Sequence, residues 1–301
     1  MLRRLGEGGM EQSDAVLRVF GLSGQLGEAL RRLGLPGPVQ AWSRRPPGAE
    51  AAARDLAAGI HWQTGDLGSL VLPPADLPVL SLGPLDAFAA AVAEGRIQAP
   101  RLIAFGSTSV HAKATSPDPW ERALSGRLAR AEEQLFEAAA RRGSLVFLLR
   151  PTLVWGMGRD ATLSRVVARA RRQPRLPLPL DAPGRRQPVH ALDLAALALR
   201  LLRAPASVAG AYDLPGGETL AFGEMLGRAL RAGAPGARPL PLPWWLLRPG
   251  ALLPGPWRGP LSRLARDLVF DDTPARALLG WSPRGFQPVP ADFPERPEAP
   301  V

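Results

Sequence analysis

Short apolar runs alternate with amphipathic segments over the first half of the chain. The apolar runs predict buried strands, at residues 15–20, 39–42, 79–82, 101–105 and 144–149. The segments between them carry apolar residues at helical spacing, at residues 25–33, 51–58, 85–94 and 121–142. Strands that alternate with helices in this way predict an α/β fold with a doubly wound parallel sheet.

The pattern changes after Pro151, where proline-rich connections separate the amphipathic segments. Helices are predicted at residues 162–172, 192–202 and 222–232. Asp193 is expected to cap the second of these helices by accepting backbone N–H bonds. The second half therefore predicts a smaller, mostly helical C-terminal part.

These patterns set the expected domain boundaries. The sheet domain is expected over residues 14–160, with a return of the chain over 184–215. The smaller part is expected over 161–290, with irregular tails at 1–13 and 291–301.

Three glycines occupy the predicted turn between the first strand and the first helix. Side chains there would keep the backbone away from a pyrophosphate, and the helix start offers free N–H groups and a positive dipole end. A dinucleotide site is therefore predicted at Gly21, Ser23, Gly24, Gln25, Leu26 and Gly27. The alternative is a tight strand-to-helix turn that binds no ligand.

The second predicted strand ends in Ser43-Arg44-Arg45, about twenty residues after the first glycine. Dinucleotide folds carry an acidic residue there for the ribose hydroxyls, or an arginine where a 2′-phosphate must fit. Two guanidinium groups could pair with a phosphate, so Arg44 and Arg45 predict NADP rather than NAD. Ser43 and Arg44 are the candidate cofactor contacts at this position. The alternative is that Arg44 and Arg45 belong to a solvated loop.

Composition narrows the class of protein. The net charge of +10 comes from arginines spread along the chain, with Lys113 as the only lysine, and this spread disfavours a nucleic-acid surface. The 301 residues include no cysteine, which excludes disulfides and thiolate metal sites, and no metal is expected. The apolar stretch 240–253 is broken by prolines and is too short for a membrane span, and the first residues lack the apolar core of a signal peptide. We expect a soluble cytoplasmic protein.

Several later segments resemble family motifs in the expected order. They are Gly65-Asp66-Leu67 and residues 105–111 (FGSTSVH), 149–156 (LRPTLVWG), 187–193 (QPVHALD) and 212–217 (YDLPGG). Together with the GxxGxxG spacing of the first turn, they resemble the extended short-chain dehydrogenases/reductases, the NAD-dependent epimerase/dehydratase family. The resemblance runs from Gly21 to Gly217 and implies a Rossmann fold and hydride transfer at a nicotinamide.

The resemblance also implies roles for individual residues. Asp66 and Leu67 would lie at the adenine, and Pro151, Thr152 and Leu153 would line the nicotinamide pocket. On the substrate side, Arg186 would contact a diphosphate, or else form an exposed basic turn, and Trp155 would lie nearby.

Two further residues are expected to handle the proton. Ser107 would bond the substrate oxygen. His111, at a tyrosine position of the family, could serve as a substitute acid, or be a packing residue at the rim of the cleft.

The sequence departs from the family at its Tyr-x-x-x-Lys pair. Those places fall on Leu124 and Leu128, and a one-residue shift puts Arg127 at the lysine position, near the cofactor. Tyr212 is the only tyrosine and lies far downstream. Loss of a positioned general acid or base costs roughly 10²–10⁴-fold in rate.

Two main functions therefore stay open. One is an atypical NAD(P)-dependent oxidoreductase or epimerase that acts on a small molecule, with a nucleotide sugar as one candidate. The other is a catalytically silent NADP-binding sensor or complex-supporting protein. A homodimer through helix 121–142 is suggested by analogy alone. Trp244, Trp245 and Trp257 are expected in the core of the smaller part, or in a hydrophobic lid or partner patch.

Overall fold

Seven parallel strands form the central sheet of the computed structural model, which describes residues 15–251 and 258–295. In chain order they are β1 (Leu17–Phe20), β2 (Val39–Ser43), β3 (Ile60–Thr64), β4 (Val79–Ser81), β5 (Arg101–Phe105), β6 (Leu145–Pro151) and β7 (Gly210–Leu214). Across the sheet their order is β3-β2-β1-β4-β5-β6-β7. The direction of strand addition therefore reverses between β1 and β4, and such switch points bind ligands in doubly wound folds.

Helices cover both faces of this sheet. They are α1 (Gln25–Leu33), α2 (Ala49–Ala57), α3 (Leu85–Ala93), α4 (Ser109–Ala112), α5 (Pro119–Ala140) and α7 (Ala191–Leu201). Helices α1 and α7 pack together over one face, and α3 and α5 pack together over the other. Because both faces are covered, most residues of the inner strands are apolar and buried. This confirms the predicted α/β fold.

Arg18 is the exception within the buried strand β1, where it is only 1% exposed. Its guanidinium donates to Oε1 of Gln40 at 3.3 Å and to the carbonyl oxygen of Pro73 at 2.8 Å. Burial lowers the pKa of Arg18, and these acceptors compensate for part of the lost hydration.

The C-terminal part has a core of its own, built around α6 (Leu163–Arg172) and α8 (Phe222–Gly233). Two short strand pairs join its loops, Pro177–Leu178 with Leu240–Pro241 and Arg185–Arg186 with Leu220–Ala221. A third pair, Val154–Trp155 with Val189–His190, connects it to the sheet domain. The part described also contains α9 (Arg258–Ser262).

Two predicted boundaries were wrong. Helix α10 (Thr273–Leu279) packs against β7, and Ala275 and Trp281 belong to a core cluster of the sheet domain, so the chain returns to that domain a second time. Residues Pro290–Asp292 form a 3₁₀ helix and Phe293 is buried, so the start of the expected C-terminal tail is part of the fold. Both segments are held by buried apolar side chains, Ala275 and Trp281 in the first and Phe293 in the second. Residues 1–13 and Trp257 lie outside the described residues.

The expected cap on α7 was also wrong. His190, not Asp193, is the N-cap, and its side chain accepts from the backbone N–H of Leu192. Asp193 instead binds the guanidinium of Arg284, at 2.8 Å. Within the described part of the chain, every helix is too short or too polar to cross a bilayer.

Candidate functional site

The three-glycine turn follows β1, at the carboxyl edge of the sheet beside β4. Gly21 has φ +77°, and a Cβ on it would lie 2.9 Å from the carbonyl carbon of Leu82, just after β4. A Cβ on Gly27 would lie 1.9 Å from the carbonyl oxygen of Leu22. Gly21 and Gly27 are therefore required by close backbone packing.

Gly24 has a different reason to be glycine. It is the N-cap of α1 with ordinary extended backbone angles, and no side chain caps the first turn. A Cβ on Gly24 would meet one neighbouring atom, the carbonyl oxygen of Gly21 at 3.3 Å. The first N–H groups of α1 are thus open to an incoming anion. The predicted turn geometry is present.

The loop after the short strand at Trp155 closes against this turn. Nε2 of Gln25 donates to the carbonyl oxygen of Gly156 at 2.8 Å, and Arg159 donates to the carbonyl oxygen of Ser23. Arg159 is a cation beside the open helix start that sequence reasoning missed. It follows no motif, and only the fold brings it 136 residues back to Ser23.

At the end of β2, the predicted ribose and adenine residues meet. Nε of Arg44 lies 3.8 Å from Oδ2 of Asp66, and both side chains are well exposed. Ser43 is held by its own turn, in which its hydroxyl accepts from the N–H of Arg45 at 3.2 Å. Leu67 packs nearby, within 3.2 Å of a Cβ on Gly83. Arg44 is thus free to turn from Asp66 to a phosphate.

Three charged residues, Glu132, Arg150 and Asp213, form a chain of polar contacts from α5 to His111. Glu132 and Arg150 form a bidentate ion pair, with a closest distance of 2.6 Å. Nη1 of Arg150 lies 3.6 Å from Oδ1 of Asp213, and Oδ2 of Asp213 lies 3.4 Å from Nε2 of His111. Burial opposes the charge on Arg150, but the hydrogen bonds and charges of Glu132 and Asp213 outweigh it and raise its pKa.

This arrangement gives the exposed imidazole of His111 a carboxylate neighbour. Its imidazole is 48% exposed and also contacts the ring of Phe270, at 6.4 Å between centroids. Asp213 faces the Nε2 atom of His111, so the Nδ1 atom is left for another partner. A histidine oriented by a carboxylate is a common acid–base device.

A cavity of about 1040 Å³ lies between the sheet edge and the C-terminal part. Ser107, Thr152 and Leu153 line it, together with Lys113 and Arg186. Ser107 accepts from the N–H of Ser109 at 3.1 Å, so its hydroxyl hydrogen is free to donate. His111 is not among the lining residues, but its neighbours Ala112 and Phe270 are. The structure thus brings Ser107 together with the predicted nicotinamide residues Thr152 and Leu153, and places His111 next to residues of the lining.

The hydroxyl of Thr152 is already used, because it donates to the carbonyl oxygen of Gln187. Pro151 ends β6 next to β7 and Thr152 follows it, and the carbonyl oxygen of Pro151 accepts from the hydroxyl of Thr108 at 3.2 Å. These contacts fix the backbone that the family resemblance places at the nicotinamide.

The missing Tyr-x-x-x-Lys pair is not replaced on α5. Leu124 and Leu128 are half-buried, and Leu128 packs against the core under α3. Arg127 is exposed and is not among the side chains that line the cavity. Tyr212 donates to the carbonyl oxygen of Val208 at 2.8 Å, and burial raises its pKa. Its place in the fold agrees with a structural role only.

Two predicted substrate residues need correction. Trp155 is 1% exposed and packs on His190 and Phe286, so it belongs to the core and does not line the cavity. Arg186 lines the cavity, but it donates to the carbonyl oxygens of Arg185, Arg263 and Arg266 at 2.6–2.8 Å. Burial lowers its pKa to about 10, which still leaves it charged at neutral pH. Arg186 therefore holds residues 263–266 in place.

Beside these residues, two cations share one carboxylate. Glu121 accepts from Arg263 and from the hydroxyl of Ser116, and Nζ of Lys113 lies 3.7 Å from its Oε1. Burial and the charge of Arg263 lower the pKa of Lys113, against the attraction of Asp118. The only lysine of the chain is thus a half-buried amine at the cavity wall.

Comparison with known proteins places the fold. No protein-family model matches the sequence, and no curated protein matches it significantly. The solved structures that resemble it include MoeE5 in complex with UDP-glucose and NAD, at 20% identity, with 92% of this chain and 96% of that chain covered and a TM-score of 0.65.

Two more similar structures extend this set. The UDP-glucose 4-epimerase of Thermotoga maritima, solved with UDP-glucose, has 14% identity, 92% and 97% coverage and a TM-score of 0.66. The terminal R domain from the myxalamid PKS-NRPS biosynthetic pathway has 19% identity, 93% and 88% coverage and a TM-score of 0.60. Over nearly its whole length, this chain therefore has the α/β fold that these proteins share.

Proposed function

We propose that this chain is an atypical NAD(P)-dependent oxidoreductase or epimerase of the extended short-chain dehydrogenase/reductase type. One observation carries the proposal. A turn that tolerates no side chain at Gly21 and Gly27 leads into an uncapped helix start, at the switch point of the sheet. The order of the family motifs along the chain and the NAD bound in the similar structure of MoeE5 support it.

A dinucleotide fits the residues that are present. The open N–H groups at Gln25 and Leu26 would hold the pyrophosphate, with Arg159 beside them. Asp66 and Leu67 would contact the adenine, and the backbone of Thr152 and Leu153 would face the nicotinamide. When bound, this group supplies a carbon that accepts or gives a hydride.

The cofactor test compares two N-cap glycines. Gly24 and Gly48 both have extended backbone angles and no side-chain cap, but Gly48 caps α2, where a Cβ would meet nothing within 4 Å. By calorimetry, Gly24→Ala should weaken coenzyme binding at least about tenfold, because steric loss of one charge-assisted contact has that size. Gly48→Ala should bind as the parent does. Equal binding by all three proteins would remove the proposal.

Arg44 and Arg45 support NADP as the preferred coenzyme. The double change Arg44→Ser, Arg45→Ser should lower NADP affinity about 10–100-fold, the size expected for hydrogen bonds to a charged group. NAD affinity should change little, because NAD has no 2′-phosphate. If the parent binds NAD more tightly than NADP, the preference is wrong but the dinucleotide site stands.

His111 is the candidate proton donor or acceptor, with Asp213 as its positioning residue. Asp213 lies at Nε2 and Arg150 holds Asp213, so Nδ1 can exchange a proton with the substrate oxygen. Ser107 would donate to the same oxygen. During reduction of a carbonyl, His111 gives its proton to the oxygen while the carbon receives hydride; during oxidation it takes that proton back.

The catalytic test needs a substrate panel of alcohols, with the oxidised coenzyme, and of carbonyl compounds, with the reduced coenzyme. The alcohols begin with UDP-glucose, which is present in two of the similar structures. With a substrate found, His111→Gln should lower kcat about 10²–10⁴-fold. Asp213→Asn should lower kcat and change its pH profile, and coenzyme affinity should be unaltered in both variants. An unchanged kcat in His111→Gln would exclude this residue as the acid.

A silent NADP-binding protein is the second candidate, favoured by the leucines at positions 124 and 128. Isotope exchange decides between them. A protein that binds labelled NADPH yet transfers no hydride to any member of the panel would be a sensor or a complex-supporting protein.

A further inference from the structure

The cavity wall away from Ser107 is apolar. Its members come from α6, α8 and the segments 176–179 and 260–268, and they include Val166, Leu178, Phe222, Leu226 and Leu264. Thr162 is the one neutral polar side chain that these segments contribute to the wall. A sugar ring would find few partners for its hydroxyls here, and each hydroxyl buried without a partner costs binding.

The charged side chains of the cavity are all of one sign. Lys113, Arg165, Arg169, Arg186 and Arg263 line it, and among the described residues no carboxylate does. Glu121, behind the wall, neutralises Lys113 and Arg263 in part. The lining therefore carries a positive excess that an anion would relieve.

Arg165 and Arg169 are the free members of this set. They stand one turn apart on α6, with Val166 of the apolar wall between them. Both side chains are exposed, and neither guanidinium group makes a hydrogen bond or an ion pair with another described residue. Arg186, by contrast, has three carbonyl partners. Two unpaired guanidiniums on one helix face suit bidentate binding of a phosphate or carboxylate.

The neutral polar side chains are concentrated at the Ser107 end of the cavity, and most of them already have hydrogen-bond partners within the protein. Thr108 donates to Pro151, Thr152 donates to Gln187, and Gln187 accepts from the N–H of Phe270. Ser107 keeps its hydrogen for the reacting oxygen. The cavity thus has one reactive polar end, an apolar body and a cationic pair.

We propose that this cavity takes an anionic amphiphile, a molecule with an extended aliphatic body and a phosphate or carboxylate head that Arg165 and Arg169 bind. The assignment of this molecule as substrate rests on the proposed function; its binding does not. A cavity of about 1040 Å³ is large enough for a ligand of this kind.

The test is calorimetric binding of decyl phosphate, decanoate, decan-1-ol, hexyl phosphate and UDP-glucose to the full chain, below micellar concentrations. Decyl phosphate or decanoate should bind and decan-1-ol should bind more weakly; the better of the two anions identifies the head group. Hexyl phosphate should bind at least about tenfold more weakly than decyl phosphate, because each buried methylene contributes about fourfold.

Charge-matched variants show where the ligand binds. Arg165→Gln, Arg169→Gln should weaken decyl phosphate binding about tenfold or more, the size of a lost charged hydrogen bond. Arg54→Gln, Arg130→Gln removes two exposed arginines outside the cavity and should leave binding within about twofold. Equal loss in both variants, equal affinity for decan-1-ol, or binding of UDP-glucose alone would overturn the proposal.

NADPH titrations of the same samples separate the two proposals. Amphiphile binding without coenzyme binding would sink the proposed function and keep this site. Coenzyme binding without amphiphile binding would overturn the amphiphile site and leave the proposed function standing.

Discussion

The backbones of Gly27 and Leu22 are in direct contact, and a Cβ on Gly27 would lie 1.9 Å from the carbonyl oxygen of Leu22. This contact fixes the angle at which α1 leaves the turn, and with it the direction of the open N–H groups. The dinucleotide site therefore depends on a packing contact as well as on the residues that face the ligand.

Gly27→Ala should destabilise the protein by about 1–3 kcal/mol, the usual cost of forcing a methyl group into a packed contact. The matched control is Gly126→Ala, inside α5, where the nearest atom to the new Cβ belongs to the flexible side chain of Arg130 at 3.5 Å. There alanine should stabilise by about 0.5–1 kcal/mol through its helix propensity. Urea unfolding measures both, and a Gly27→Ala protein as stable as the parent would contradict the contact.

Asp292 ties the C-terminal segment to the buried His190. Its Oδ1 lies 3.1 Å from Nε2 of His190, whose Nδ1 already accepts from Leu192. Asp292→Ala would leave a buried ring N–H without a partner, so we expect a loss of about 1–3 kcal/mol. Glu50→Ala, at an exposed position of α2, should stay within about 0.5 kcal/mol of the parent. Thermal and urea denaturation test both variants.

Arg186 should act as a structural clamp. Arg186→Met keeps the apolar stem but removes the donors to three backbone carbonyls, so it should destabilise the protein by about 1–3 kcal/mol. Amide hydrogen exchange of residues 263–268 should accelerate most. Arg185→Met, an exposed neighbour, is the control. If exchange in this segment is unchanged, the clamp is wrong.

Lys113 should titrate below the ordinary lysine pKa of 10.5, because burial and Arg263 disfavour its charge. The groups that face it are Glu121, Asp118 and Arg263. Since it is the only lysine, the pH dependence of its acylation, read by mass spectrometry, reports its pKa without interference from other side chains. Arg263→Gln should raise that pKa towards the value of free N-acetyl-lysine.

The same shift predicts a sign for stability. Between the folded and unfolded pKa of Lys113, the unfolded chain binds more protons, so the free energy of unfolding rises with pH in that window. As the pH falls through the window, stability is lost. Lys113→Met should flatten this slope, and an unaltered slope would mean that Lys113 is not perturbed.

The sequence by itself determined five of the seven strands of the sheet and the location of the glycine turn. Buried strands such as Arg101–Phe105 carry a continuous apolar signal, and the glycine at 27 meets a local backbone need, the close carbonyl oxygen of Leu22. Strand β3 escaped this reasoning because it is an edge strand, with Ile60 its one buried residue.

Only the tertiary structure decided the partners across the site. The ladder Glu132–Arg150–Asp213–His111, the closure of Arg159 on Ser23 and the return of Asp292 to His190 join residues far apart in sequence. The chain places Trp155 and Arg186 inside motifs, yet packing buries one and carbonyls occupy the other. Local patterns record what a segment needs from its own backbone, whereas charge pairing and free donors depend on which segments meet.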